Sequence, residues 1–149
     1  MKIQTITLAM LVVISAPSRS AFQEREYNTW YIKNAVLYDI TQTSDGFPVM
    51  LSISQPERKS ANLLVSYINE GRCDGTRQEL NVNGKVLPAT YYCVQVGQNR
   101  IEHFSVKDAQ SVNGMVNHLK SDFTLLLQND IKVWAANINA PKYGLAPRF

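Results

Sequence analysis

The side chains best suited to chemistry are few: two histidines, two cysteines and twelve carboxylates in 149 residues. His103 titrates near neutral pH by type and is the one candidate general base for a small hydrolase. Its neighbour Glu102 lies on the same alternating segment, so the two side chains point to opposite faces and do not cooperate directly. A strand histidine at a solvent or partner face is therefore expected. His118 would need His or Glu four residues away to hold a metal on a helix, and Gly114 and Asp122 stand there instead. It reads as a helix-boundary residue. Carboxylate pairs such as Glu24/Glu26 and Asp74/Glu79 sit in polar, turn-rich contexts that do not drive two pKa values apart. None of the common motifs for a nucleophilic serine, a zinc protease, a dinucleotide or a nucleotide phosphate is present. No metal or cofactor is expected.

Cys73 and Cys93 lack the C-x-x-C spacing of redox centres and read as one structural disulfide. The bridge would close a loop of about 20 residues, worth roughly 3 kcal/mol in the loop-entropy picture. Around Cys73 the chain gathers Glu70, Arg72, Asp74 and Arg77, with Gly71 and Gly75 for sharp turns. A stapled, charged loop of this kind is a candidate contact site for a partner protein.

The compartment follows from the N-terminus. Lys2 precedes a mostly apolar run, Ile3 to Ile14, then Ser15-Ala16-Pro17 breaks it, and Ser18 and Ser20 are small residues before a cut at Ala21. This is the layout of a secretory signal peptide over residues 1–20, and the run is too short to span a bilayer. Removing it takes away Lys2 and Arg19 and lowers the net charge from +3 to +1. So small a charge gives no reason to propose nucleic acid as a partner. None of the twelve asparagines lies in an N-x-Ser/Thr site, which leans towards a bacterial periplasm or a secreted bacterial product. No membrane insertion is expected of the remainder.

Hydrophobic residues make up 45% and charged residues 18%, a composition that forms a globular core rather than a disordered chain. Residues 21–149 suffice for one domain. Trp30, Ile32, Val36, Tyr38 and Ile40 share one parity of a first strand, with Tyr31, Lys33 and Asp39 on its polar side. Val49, Leu51 and Ile53 mark a second strand. Asn62 to Asn69 is apolar on both faces and should be central. Asn83-Gly84 predicts a type I′ hairpin. Tyr91 to Val96 and Arg100 to Lys107 form another hairpin, and so do Phe123 to Gln128 and Ile131 to Ile138. Between them Val112, Met115, Val116 and Leu119 fall at helical spacing behind Asp108, a good N-cap. Pro141, Gly144 and Pro147 leave 140–149 as an irregular tail.

The fold expected is mainly β: an antiparallel sandwich or bent sheet of seven to nine short strands, with one helix near residues 108–120. The layout (export signal, Gly46-Phe47-Pro48 before a strand, two cysteines about a hairpin) loosely resembles small periplasmic β-proteins of the invasion-associated locus B type, and no residue role is carried over from it. The function expected is an exported, non-enzymatic binding protein, such as an inhibitor, immunity factor or envelope-assembly component, whose partner is another envelope or secreted protein. The alternatives are a small periplasmic hydrolase using His103 and a structural subunit whose tail docks a neighbour.

Overall fold

The computed structural model describes residues 26–144. The expected signal peptide and residues 145–149 of the tail lie outside them. The described chain is a β-rich sandwich of eleven strands and one helix, rather than seven to nine strands. In chain order these are β1 (Tyr31–Lys33), β2 (Val36–Gln42), β3 (Pro48–Ser54), β4 (Asn62–Glu70), β5 (Leu80–Val82), β6 (Lys85–Leu87), β7 (Thr90–Val96), β8 (Asn99–Val106), α1 (Ala109–Lys120), β9 (Leu125–Leu127), β10 (Ile131–Val133) and β11 (Lys142–Tyr143). One sheet has seven strands in the order β11-β1-β2-β3-β4-β8-β7, and the other four in the order β10-β9-β5-β6. β4 is an interior strand of the large sheet, between β3 and β8, as its two apolar parities predict, although Leu64 and Ile68 on its outer face are only half-buried.

The extra strands come from turns that carry no conspicuous sequence signal. The segment from Trp30 to Ile40 is not one strand. Asn34 and Ala35 both adopt positive φ, 51° and 59°, and fold β1 back on β2 as a two-residue hairpin. Asparagine tolerates this conformation, but alanine does so at a cost of about 1 kcal/mol, so the dipeptide does not announce itself as Asn-Gly does. Register then sets the faces. Ile32 lies opposite Leu37 and Tyr31 opposite Tyr38, so the inward parity changes from even to odd across the turn. Leu37, Asp39 and Thr41 therefore point into the core, correcting the face assigned to Val36, Tyr38 and Ile40. Ile40, on the other face, is buried as well.

The Asn83-Gly84 hairpin forms as expected, with φ of 51° and 78°. At the β9–β10 turn Gln128 and Asn129 take positive φ, and β10 stops at Val133 instead of reaching Ile138. Helix α1 starts at the Asp108 cap, whose side chain accepts the Ser111 N–H at 3.0 Å. Its stripe of Val112, Met115, Val116 and Leu119 is buried.

The core lies between the inner face of the large sheet, led by Leu51, Val65, Phe104 and Val106, and a layer made of α1 and the small sheet. Trp30 is wholly buried there, and its indole N–H donates to the Trp134 carbonyl at 2.9 Å. Asn137 brackets the Trp30 backbone, accepting its N–H at 2.7 Å and donating to its carbonyl at 3.0 Å. These bonds dock the segment after β10 and bring β11 into parallel pairing with β1. The beginning of the tail is thus a strand of the large sheet, not irregular chain.

Candidate functional site

The sites proposed from sequence fall on opposite sides of β8. Its even-numbered residues point to the core and its odd-numbered ones to the outer face, so Glu102 and His103 diverge. His103 meets Ser66 on β4 and Tyr92 on β7, its neighbours in register. Ser66 Oγ and His103 Nδ1 are 2.7 Å apart, and the Tyr92 ring stacks on the imidazole with centroids at 4.4 Å. Partial burial pushes the His103 pKa below its ordinary value.

A serine beside a histidine is the start of a hydrolytic centre, but the described residues around this pair do not supply the rest. The Ser66 hydroxyl lies under the sheet surface with the residue 1% exposed. No carboxylate hydrogen-bonds the imidazole among the described residues, and neither residue lines any of the five main clefts. Nucleophilic catalysis needs an orienting third group and room for a substrate carbonyl. The pair instead satisfies a buried hydroxyl. Ser66→Ala is therefore expected to cost about 1 kcal/mol in urea unfolding, the worth of one hydrogen bond. His118 closes the helix end, with Nε2 3.2 Å from the Thr124 carbonyl and its ring stacked on Phe123.

The charged loop builds a more coherent site on the inner side. Between β4 and β5 the chain turns at Gly71 and Gly75, with φ of 98° and 79°. Cys73 is joined to Cys93 of β7, with Cα atoms 5.9 Å apart. Gln95 adds a second fastening: its Oε1 accepts the Cys73 N–H at 2.8 Å, and its Nε2 donates to the Gly71 carbonyl at 3.3 Å. Asp74 accepts the Thr76 N–H at 2.8 Å, which holds its carboxyl below the usual carboxylate range. Arg77 donates to the Ala89 carbonyl at 3.2 Å.

Under the loop, Arg100 donates from Nε to Glu102 Oε1 at 3.1 Å and from Nη1 to the Arg72 carbonyl at 3.2 Å. Glu102, almost fully buried, also accepts the Tyr91 hydroxyl at 3.2 Å. Burial and then the Glu102 charge push the Tyr91 hydroxyl pKa up. Together these residues line a cleft of about 310 Å³ beside the disulfide. Of the four charged residues singled out around Cys73, Arg72, Asp74 and Arg77 line it, whereas Glu70 ends β4 outside it. Arg100, Glu102 and Tyr91 were not singled out by sequence. Their signal is register: Cys93 pairs with Glu102 and Gln95 with Arg100, so locating the disulfide on β7 also locates these two.

Three guanidinium groups against two carboxylates leave the cleft with an excess positive charge, and Glu102 is already engaged by Arg100 and Tyr91. Its volume is at the low end for small-molecule sites. It suits one or two side chains of a partner better than an enclosed substrate. Among the described residues, no group of three or more His, Cys, Asp or Glu side chains is placed to hold a metal ion, and no helix is long and apolar enough to cross a membrane. In comparison with known proteins, no family model, curated protein or solved structure matches this chain.

Proposed function

We propose that the chain is an exported protein that acts by binding another envelope or secreted protein through the stapled loop Gly71–Glu79 and the cleft beneath it. The observation that carries the reading is the double fastening of a charged loop, by the Cys73–Cys93 bridge and by Gln95, over a cleft with excess guanidinium charge. A loop fixed before binding loses little conformational entropy on contact, and arginine is a favoured residue at binding hot spots. The complementary group on the partner is a carboxylate, which a guanidinium grips in bidentate fashion. The signal-peptide pattern of residues 1–20 supports export, and a bonded cysteine pair is compatible with the periplasm or the exterior.

The test is capture from the envelope and secreted fractions of the protein's own cells, comparing the native chain with an Arg72→Glu/Arg77→Glu double variant. The native chain is expected to retain a specific protein. The variant, with an unchanged circular dichroism spectrum, should bind it at least roughly tenfold more weakly. Capture of nothing specific, or capture unaffected by the charge reversal, would overturn the reading.

A further inference from the structure

We propose that two copies of this chain associate through β7, edge to edge and antiparallel about a twofold axis, joining the two seven-stranded sheets into one. The observation is a contrast among the four sheet edges. An exposed edge strand presents unpaired N–H and C=O groups, and proteins blunt it by keeping it short and placing lysine on it. Three of the edges do both: β11 has two residues and carries Lys142, β6 has three and carries Lys85, and β10 has three and carries Lys132. β7 does neither. It has seven residues, Thr90 to Val96, and no charge. The uncharged stretch extends over fourteen residues, from Val86 to Asn99, in a chain that is 18% charged.

The outer side of this edge is apolar where water should be favoured. Tyr92, Val94 and Val96 are 48%, 43% and 54% exposed and share one face. Beside them lie Ile101, opposite both Val94 and Ile68, and His103, opposite Tyr92. No backbone hydrogen bond ties β7 to any described strand besides β8.

A second copy is the occupant these features fit. An isologous contact sets each residue against residues of the same strand, so any charge near the axis would meet its like. β7 has none to meet. Self-pairing must also keep the two outer faces on one side. A strand centred on Cys93 then places Tyr92 opposite Val94, and one centred on Val94 places it opposite Val96. Aromatic against β-branched is a favourable cross-strand pair in either register. β7 borders the arginine cleft at Tyr91, Tyr92 and Cys93, whereas Val94 and Val96 lie outside it, and the association does not rest on the function proposed above.

Sedimentation equilibrium of the purified protein over about 1 to 500 µM tests the proposal. A monomer–dimer equilibrium is expected, and Val94→Lys should weaken it at least roughly tenfold, because two lysines then meet directly across the axis in the register centred on Val94 and diagonally across it in the one centred on Cys93. Val94 is outside the core, so the variant's thermal melt serves as the fold control. Should the variant fail to fold, amide hydrogen exchange of the native protein decides: protection in β7 that rises with protein concentration supports the pairing, and its absence overturns it. A monomer at all concentrations, or a dimer that the folded Val94→Lys variant forms as well, also overturns it.

Discussion

Replacing Asp39 with asparagine is expected to stabilise the protein above pH 7, by about 1 to 3 kcal/mol, and to raise its melting temperature by several degrees. Asp39 is wholly buried on the inner face of β2, and neither carboxylate oxygen has a hydrogen-bond partner among the described residues. Burial pushes its pKa up from 3.8 to about 6, while the nearby backbone amides of Thr29 and Ile40 pull weakly the other way without completing a hydrogen bond. A carboxyl that titrates higher in the fold than in the open chain holds its proton more tightly when folded. Its favourable contribution is therefore complete below about pH 4 and is lost as the pH rises through about 6. Above pH 7 the charged carboxylate costs on the order of 3 kcal/mol, which the neutral isostere does not incur. The range allows for amide hydrogens that also need partners. Urea unfolding of both proteins at pH 4 and pH 7.5 provides the check: the advantage of Asp39→Asn should be large at the higher pH and should shrink as the pH falls. A variant that is less stable than the native chain at pH 7.5 would show that the carboxylate is compensated.

The second large effect is expected on opening the Cys73–Cys93 bridge. It spans 20 residues of sequence, and its loss frees a loop worth roughly 3 kcal/mol of chain entropy in the unfolded state. The same change releases the loop Gly71–Glu79 from β7 in the folded state and leaves Gln95 as its main anchor. The double variant Cys73→Ser/Cys93→Ser should therefore melt lower, by roughly ten degrees. It should also show faster amide exchange in the loop than in β3 and β4, which keep their partners on both sides. Uniform exchange across the domain, with an unchanged melt, would mean that the bridge does not hold the loop. If binding runs through that loop, the variant should lose affinity even at temperatures where it is folded, because the ordering cost then falls on the binding step.

Two details show how far local pattern carried the fold. The helix was legible to within a residue, since the Asp108 cap and the stripe from Val112 to Leu119 are local signals that the core merely accepted. The hairpin at Asn34-Ala35 was not, and the consequence reached well beyond the turn. A two-residue hairpin exchanges the parity that faces inward, so missing it placed Asp39 in solvent when the register buries it. The site divides in the same manner. Arg72, Asp74, Arg77 and both cysteines are close in sequence to the turns that display them and could be named in advance. Arg100 and Glu102 join them only because β7 and β8 pair in one register.

By itself, the sequence determined the β-rich class, the helix, the interior position of β4, the Asn83-Gly84 turn and the cysteine pair, because each rests on periodicity, turn chemistry or arithmetic within a short stretch. Tertiary structure alone decided which faces look inward, that Ser66 meets His103 away from the main clefts, that Asp39 lies buried without a partner among the described residues, and that β7 is left as the one long uncharged edge of the described sheets. Those outcomes depend on which strands become neighbours and in what register, and that choice is made by the whole core at once.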